Sequence, residues 1–192
     1  MATGSLLQAK QINMFPQLTT ERFILRQIIE SDQPKIFEGL SHPDVIKYYG
    51  VNYHTLEETS KQMNWYNQSI KDETGIWWAI NYKGNDELIG ACGFNNLDAK
   101  NKKAELGYWL LTGHWGFGVI QEVLPYIIEY AFDHLHLHRL EAVVESLNSR
   151  SKKVMESLDF YYEGTLHESE IKNGEYIDLD YYAIINTKEK SN

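Results

Sequence analysis

The first regular pattern in the chain is an alternation of apolar and polar residues over 21–28, ERFILRQI. A period of two predicts a β-strand. Capping residues and helical spacing then predict three helices: one beginning at Ser31 or Asp32 with Pro34 in its first turn, a short one over 41–50, and one over 55–70. The third is expected to begin at Thr55, because Thr55 and Glu58 have the spacing of a capping box.

Between residues 76 and 111 the spacing of apolar residues changes to one typical of β-strands. Three runs rich in aromatic and β-branched residues occupy 76–82, 88–94 and 104–111, and the short polar segments KGND and LDAKNKK separate them. Strands joined by short turns predict an antiparallel meander.

Apolar positions beyond the meander recur every three or four residues from Val119 to Leu135, which predicts an amphipathic helix. Pro125 lies inside it and cannot donate to the carbonyl of Gln121, so a bend is expected there. The remaining patterns predict a strand over 138–146, a helix over 148–158, and two long strands joined at KNGE. This order predicts an α+β fold in which helices surround one mixed sheet.

Length and composition limit the class of protein. A chain of 192 residues with 43% hydrophobic residues forms one domain, expected over 18–186 with tails at 1–17 and 187–192. No apolar run is long enough to span a membrane, and no secretory pattern opens the chain. The single cysteine excludes an internal disulfide, so a cytoplasmic location is expected. The net charge of −9 disfavours a nucleic-acid surface and slightly favours amine partners.

The segment GYWLLTGHWGFGVIQEV, residues 107–123, places a glycine loop between a predicted strand and a predicted helix. The first amides of a helix lack partners and can bind an anion, and glycines let a phosphate approach the backbone. A plain tight turn is the alternative. The segment is not a P-loop, because no Gly-Lys-Ser/Thr follows, and it lacks the third glycine of a dinucleotide fingerprint.

Three segments together carry a family resemblance: AELGYWLLTGHWGFGVIQEVL, HRLEAVVESLNSRSKKVMESLDFYYEG and NGEYIDLDYYAI. In this order they resemble the GNAT superfamily, in particular the branch of the ribosomal-protein (alanine/serine) N-terminal acetyltransferases. LTTERFILR and WWAINYKGNDELIGACGF fit the same branch, so the likeness covers 18–185.

The resemblance implies a fold with a central mixed, mostly antiparallel sheet flanked by helices. It also implies direct acetyl transfer from acetyl-CoA to a primary amine, either a protein N-terminus or a small amine. The alternative is a catalytically idle CoA-binding or interaction protein. Ile120, where the family has a small residue, and Met155, where many members have a catalytic tyrosine, favour that alternative.

The resemblance further implies a CoA site. Backbone amides of the loop would bind the pyrophosphate; these residues are Trp115, Gly116, Phe117, Gly118, Val119, Ile120 and Gln121. A splay between the strands at 104–111 and 138–146 would admit the pantetheine arm, which would pair with backbone near Trp109, Leu110 and Leu111. Asn148 would bind the same arm or cap the following helix.

Two glutamates are candidates for the base that deprotonates the amine. Glu105 and Glu170 match positions where family members carry a base, and Ser151 matches a hydroxyl proposed to protonate the leaving thiolate. Each of the three has the alternative of an ordinary surface or packing role. Tyr48, Tyr49 and Tyr53 are expected near the acceptor, because the first two helices wall that site in the family.

The remaining candidate chemistry is weak. Arg150, Lys152 and Lys153 either screen the 3′-phosphate of CoA or form a solvated helix face. His134, His136 and His138 have no acidic or cysteine partner at ligand spacing, so no metal site is predicted. Cys92 lies in the middle of a strand and is expected in the core. Strands expected to be exposed near the C-terminus leave a homodimer open.

Overall fold

The computed structural model describes residues 15–187. Eight strands form one sheet in the order β1-β2-β3-β4-β5-β6-β8-β7: β1 (Leu18–Thr19), β2 (Phe23–Gln27), β3 (Ile76–Tyr82), β4 (Leu88–Asp98), β5 (Lys103–Leu110), β6 (Arg139–Glu145), β7 (Tyr161–Lys172) and β8 (Glu175–Ile185). Within these described residues, five α-helices accompany the sheet: α1 (Gln33–Ser41), α2 (Pro43–Ile46), α3 (Ser60–Lys71), α4 (Val119–Asp133) and α5 (Ser149–Ser157).

The sheet is mixed and mostly antiparallel, as the sequence predicts. Strands β2 to β5 form the expected meander. One pair of neighbouring strands, β5 and β6, is parallel, because α4 carries the chain back across the sheet between them. The hairpin β7–β8 turns at Asn173 and Gly174, both with positive φ, as a two-residue hairpin loop requires.

Each face of the sheet carries its own apolar core. On one face, α4 and α5 cover a cluster that includes the fully buried Trp78, Phe94 and Leu124. On the other face, α1, α2 and α3 cover a cluster built around Trp77 and Trp109. The neighbours Trp77 and Trp78 belong to opposite faces, as the alternation along a strand requires.

Two predictions about single residues concern the α4 side. Cys92 is fully buried in the core there, as predicted, and burial raises the pKa of its thiol. Helix α4 continues through Pro125, which leaves the carbonyl of Gln121 without its helical donor. The bend at this proline stays a prediction.

The expected start of the third helix, Thr55, was wrong. Thr55 and Glu58 do form hydrogen bonds of a cap, since Glu58 N donates to Thr55 Oγ1 at 3.2 Å and Glu58 Oε2 accepts from His54 N at 2.9 Å. These bonds close a series of short turns, and the regular helix α3 begins only at Ser60. The tails predicted at 1–17 and 187–192 fall largely outside the described residues, so the domain limits stay predictions.

Helix α1 packs over β4 and contacts the side chain of Trp109 from β5, because Gly39 has no side chain. The ring of Trp109 fills the space that a β-carbon at Gly39 would occupy. This contact joins the wall formed by the first helices to the strand that leads into the glycine loop.

Gly39→Ala is expected to lower the free energy of unfolding by about 1–3 kcal/mol, because the added methyl group collides with the indole ring even though alanine favours a helix. Urea denaturation measures the change. Gly113→Ala is the control, since a β-carbon at Gly113 would meet no atom of a more distant residue within 4 Å, and a change within about 0.5 kcal/mol is expected. Equal stabilities of the two variants would contradict the packing argument.

Candidate active site

Strands β5 and β6 pair over only three residues and then separate. The parallel ladder joins Lys103–Glu105 to Arg139–Glu141 and ends there, although β5 continues to Leu110 and β6 to Glu145. The predicted splay is therefore present. Beyond the last pair, the main-chain groups on the facing sides of the two strands are free of each other.

The alternation of hydrogen bonds along β5 decides which of its backbone groups face the splay. Leu111 N donates to Ile89 O at 2.9 Å, so the amide of Leu111 belongs to the β4 side. In an antiparallel ladder the next residue points its amide and carbonyl the opposite way. Of the three residues expected to pair with pantetheine, Leu110 therefore faces the splay with its backbone, whereas Trp109 and Leu111 pair with β4.

The splay opens a cavity of about 460 Å³ that reaches both faces of the sheet. Its walls include Tyr49 and Trp65 from the face of α1 to α3, and Ser151 and Met155 of α5 from the other face. A molecule entering from the α5 side can therefore meet one entering from the α3 side within the sheet itself.

The glycine loop has the backbone expected of an anion site. Gly116 and Gly118 have φ of 80° and 72°, in the left-handed region that favours glycine. The first helical hydrogen bond of α4 runs from Glu122 N to Gly118 O at 3.1 Å, so the amides of Val119, Ile120 and Gln121 have no partner within the helix. These amides lie at the positive end of the helix dipole.

Arg22, the residue before β2, holds the loop in place. Its Nη1 donates to Phe117 O at 3.0 Å, and its Nε forms an ion pair with Glu122 Oε2 at 2.6 Å. Thr20 Oγ1 also donates to Glu122, at 2.6 Å. Burial would raise the pKa of Glu122, but these hydrogen bonds and the charge of Arg22 lower it. The negative charge of Glu122 is thus neutralised by Arg22 and does not oppose an anion at the N-terminus of α4.

Three side chains of the loop differ in their surroundings. Ile120 is buried in the core on the α4 side, so its bulk packs inward. Trp115 donates through Nε1 to Leu110 O at 2.8 Å, which fixes the start of the loop to the end of β5. Phe117 is the exposed residue, with 63% of its surface accessible.

Asn148 and Ser151 form a closed pair at the start of α5. Asn148 Oδ1 accepts from Ser151 N at 3.2 Å, and Asn148 Nδ2 donates to Ser151 Oγ at 3.0 Å. Asn148 thus caps the helix, and both side chains line the cavity. Met155, at the position of the family's tyrosine, also lines the cavity and offers no proton.

The structure treats the two candidate bases differently. Glu105 lines the cavity and is hydrogen-bonded by Asn96 Nδ2 at 3.0 Å, whereas Glu170 is exposed on β7 outside the lining. Burial raises the pKa of Glu105; the bond from Asn96 opposes this, and the charges of Glu141 and Glu170 add to it. Glu170 therefore acts on Glu105 through its charge.

Aromatic side chains form the cavity wall opposite α5. Tyr48, Tyr49 and Tyr53 all line it, together with Trp65 and Trp77, and their place near the acceptor stays a prediction. Tyr53 donates to Gln62 Oε1 at 2.9 Å, which fixes this wall to α3. Such a wall favours an organic cation or an apolar group close to one.

A second carboxylate in the lining is already paired. Glu145 forms an ion pair with Lys172, whose Nζ also donates to Lys47 O at 2.6 Å. The tip of the β7–β8 hairpin is thereby joined to β6 and to the segment after α2. Glu145 contributes no net charge to the cavity while this pair is formed.

The basic cluster predicted on α5 is divided in the structure. Lys152 is bound to Asp180 Oδ2 at 2.8 Å and to Ser146 O at 3.1 Å, so it does not face a phosphate. Arg150 lies over the ring of Trp115 at 4.9 Å, beside the glycine loop, and Lys153 is exposed. Of the three, Arg150 is the residue next to the glycine loop.

The histidines do not come together. His134 ends α4 and stacks on Tyr130, and His136 lies in the following turn. Within residues 15–187, no three His, Cys, Asp or Glu side chains are grouped so that they could hold a metal ion. Every helix in the same range is too short or too polar to cross a membrane.

Sequence reasoning missed several residues of the site. Asn95 and Asn96 lie where a bulge interrupts the β4–β5 ladder, and Asn96 has a φ of 50°. Bulges of this kind turn a side chain towards a neighbouring site. The signal was present as two consecutive asparagines at the end of an apolar strand. The Glu145–Lys172 pair gave no local signal, since 27 positions separate its members.

Residues 22–161 match the acetyltransferase (GNAT) domain family. An uncharacterised N-acetyltransferase of Bacillus subtilis, YoaA, is 35% identical over 92% of this chain and 100% of its own length.

Similar solved structures include complexes with coenzyme A. The RimL ribosomal L7/L12 alpha-N-protein acetyltransferase in complex with coenzyme A is 26% identical, with a TM-score of 0.76 over 90% of this chain and 97% of that one. The spermidine N-acetyltransferase of Vibrio cholerae, in complex with CoA and spermine, has a TM-score of 0.78 over 88% and 98% of the chains. Its identity of 22% shows the fold alone.

Gly116→Ala is expected to weaken CoA binding roughly tenfold, because a β-carbon at a φ of 80° strains the loop that presents the amides. Calorimetry with CoA measures the dissociation constant. Gly84→Ala is the matched control: Gly84 has a φ of 78° and equally open surroundings, but it lies in the β3–β4 turn. Both variants should lose about 1 kcal/mol of stability, and only the first should lose affinity. Unchanged affinity in Gly116→Ala would contradict the role of the loop.

Proposed function

We propose that this chain, which belongs to the GNAT family and is an acetyl-CoA-dependent N-acetyltransferase, acetylates the α-amine of a protein N-terminus. The observation that carries this proposal is the charge inside the cavity. Two acidic residues appear among the described lining residues, and one of them, Glu145, is neutralised by Lys172. Of these two lining carboxylates, Glu105 is the one left to attract a cation. The site therefore suits an acceptor with one positive charge.

The pKa of the acceptor supports the same choice. An α-amine has a pKa of about 7.7–8.0, whereas a lysine-like alkylamine has one of about 10.4. The α-ammonium is therefore the stronger acid of the two. A carboxylate with a raised pKa can deprotonate it at a smaller cost in free energy than a lysine-like ammonium. The similarity to RimL, an alpha-N-protein acetyltransferase, points in the same direction.

Each group in the proposed reaction has one task. The unpaired amides at the start of α4 bind the pyrophosphate. The amide of Leu110 faces the pantetheine arm in the splay, since the carbonyl of Leu110 already accepts from Trp115 Nε1. Glu105 takes the first proton from the ammonium, and the neutral amine then attacks the thioester carbonyl. An amide that faces the splay stabilises the oxyanion, and Ser151 donates to the sulfur as the C–S bond breaks. No acyl-enzyme is formed.

A small amine is the second candidate acceptor. It is favoured by the aromatic wall, which can hold any compact organic cation, and by the fold shared with a spermidine acetyltransferase. A polyamine carries several charges, however, and would leave all but one of them without a carboxylate in the cavity. A small monoamine fits the charge of the site better than a polyamine does.

An acceptor panel tests the choice. Thiol release from acetyl-CoA is measured with a peptide whose N-terminus is free, with the same peptide blocked at its N-terminus but containing lysine, with spermidine, and with a small aromatic monoamine. We expect the highest kcat/KM for the free N-terminus and the lowest for spermidine. A preference for spermidine overturns the charge argument, and CoA binding with no turnover of any amine supports an idle CoA-binding protein.

Glu105→Gln and Glu170→Gln separate the two candidate bases. The base must be ionised, so kcat falls as pH drops through its pKa, which lies above the usual carboxyl range for Glu105. Glu105→Gln is expected to lower kcat about tenfold or more and to abolish this fall of kcat at low pH, which is the acidic limb of the pH profile. Glu170→Gln removes a neighbouring negative charge and should move the limb to lower pH while kcat at neutral pH is kept. The reverse result would assign the base to Glu170.

Two further proposals rest on the sequence. The lone cysteine, buried in the core, agrees with a cytoplasmic location.

The long edge strand β7 exposes Tyr161 and Leu166 and is the part of the surface on which a homodimer would form. Light scattering measures the oligomeric state.

A further inference from the structure

The hydroxyl of Tyr108 is buried and makes no hydrogen bond of good geometry. A buried donor without a partner lowers the stability of a fold, and phenylalanine would keep every contact of the ring. Folding therefore gives no reason for this oxygen. Its surroundings suggest one, because Tyr108 lines the cavity together with Asn148, Ser151 and Met155.

Tyr108 lies on the side of the sheet opposite Glu105. Positions 105 and 108 differ by an odd number, so their side chains point to opposite faces of β5. Tyr108 packs against the core on the α4 and α5 side, with its hydroxyl near Ser151. Burial raises the pKa of Tyr108 to about 12, and the nearby Ser151 lowers it by less, so the phenol keeps its proton and remains a donor.

The hydrogen bonds of Ser151 explain what this donor can do. A serine oxygen accepts two hydrogen bonds and donates one. Asn148 Nδ2 already donates to Ser151 Oγ at 3.0 Å, which fills one acceptor position. A hydrogen bond from Tyr108 would fill the second. The proton of Ser151 would then have no direction left except towards the cavity.

We propose that Tyr108 is a positioning residue that directs the hydroxyl proton of Ser151 to the sulfur of acetyl-CoA. This inference rests on the proposed function, which places the thioester in the splay. A small rotation at Ser151, when the pantetheine arm is bound, completes the bond from Tyr108. The residue touches neither substrate and acts through Ser151.

The proton balance of the reaction is kept. Glu105 receives one proton from the ammonium, and the amine nitrogen bonds the carbonyl carbon. When the intermediate collapses, the C–S bond breaks with its electron pair on sulfur. Ser151 Oγ gives its proton to the sulfur, which leaves as the thiol, and takes up the proton that the nitrogen releases, so the serine hydroxyl is restored. Tyr108 is not consumed.

A double-mutant cycle tests the proposal. Acetyl transfer is measured in single-turnover experiments for the wild type, Tyr108→Phe, Ser151→Ala and the double variant. We expect Tyr108→Phe to slow transfer about tenfold in the presence of Ser151 and by less than about twofold in Ser151→Ala. Its melting temperature should equal or exceed that of the wild type, since an unsatisfied hydroxyl is removed.

The control is Tyr182→Phe. Tyr182 is a buried tyrosine on β8 outside the cavity lining, and its loss of a hydroxyl should leave the transfer rate unchanged. An unchanged rate in Tyr108→Phe, or the same loss in both Ser151 backgrounds, overturns the proposal. Tyr108→Met replaces the phenylalanine variant if that variant fails to fold.

Calorimetry with CoA keeps this test separate from the proposed function. If the wild type does not bind CoA, the proposed function fails together with this inference. If the wild type binds CoA and acetylates the peptide, but the cycle shows no coupling, only the role of Tyr108 is wrong. Tyr108→Phe itself is expected to bind CoA within about twofold of the wild type.

Discussion

The separation of β5 and β6 after three paired residues is the feature on which the site depends. A sheet that remained paired would satisfy its own backbone groups and leave no opening between its faces. Here the ladder ends at Glu105 and Glu141, and the strands diverge on either side of a cavity. The interruption supplies free main-chain donors for a substrate arm and a passage through the sheet. The glycine loop follows directly, at the end of the strand that diverges.

The two faces of the sheet contribute different chemistry to that passage. A carboxylate with a raised pKa, Glu105, lies on the side of the aromatic wall, and the hydroxyls of Ser151 and Tyr108 lie on the side of α5. Odd and even positions of one strand are enough to separate a proton acceptor from proton donors. Glu105 and Tyr108 are thus held by a regular strand, and Ser151 by helix α5, so none of the three depends on a loop for its place.

Most of the architecture could be predicted because it depends on local patterns: the meander, the long amphipathic helix and the buried cysteine all follow from spacing. The site was less predictable wherever a long-range contact decides the outcome. Lys152 resembles a phosphate ligand in sequence but is bound to Asp180, which is 28 residues away. Glu105 and Glu170 are the same residue type and both match candidate positions in the sequence, and they differ in burial only once the structure is known. Asn96 reaches Glu105 through a bulge, which is an irregularity of pairing that no periodicity records.

In the proposed reaction, the unpaired carboxylate of the described cavity lining, Glu105, also has a consequence for the end of the catalytic cycle. Acetylation converts an ammonium into a neutral amide, so the product loses both its attraction to Glu105 and its affinity for the electron-rich aromatic wall. The substrate is held by a charge that the reaction itself removes. Departure of the acetylated molecule is thereby favoured without any movement of the protein, and inhibition by accumulated product should be weak.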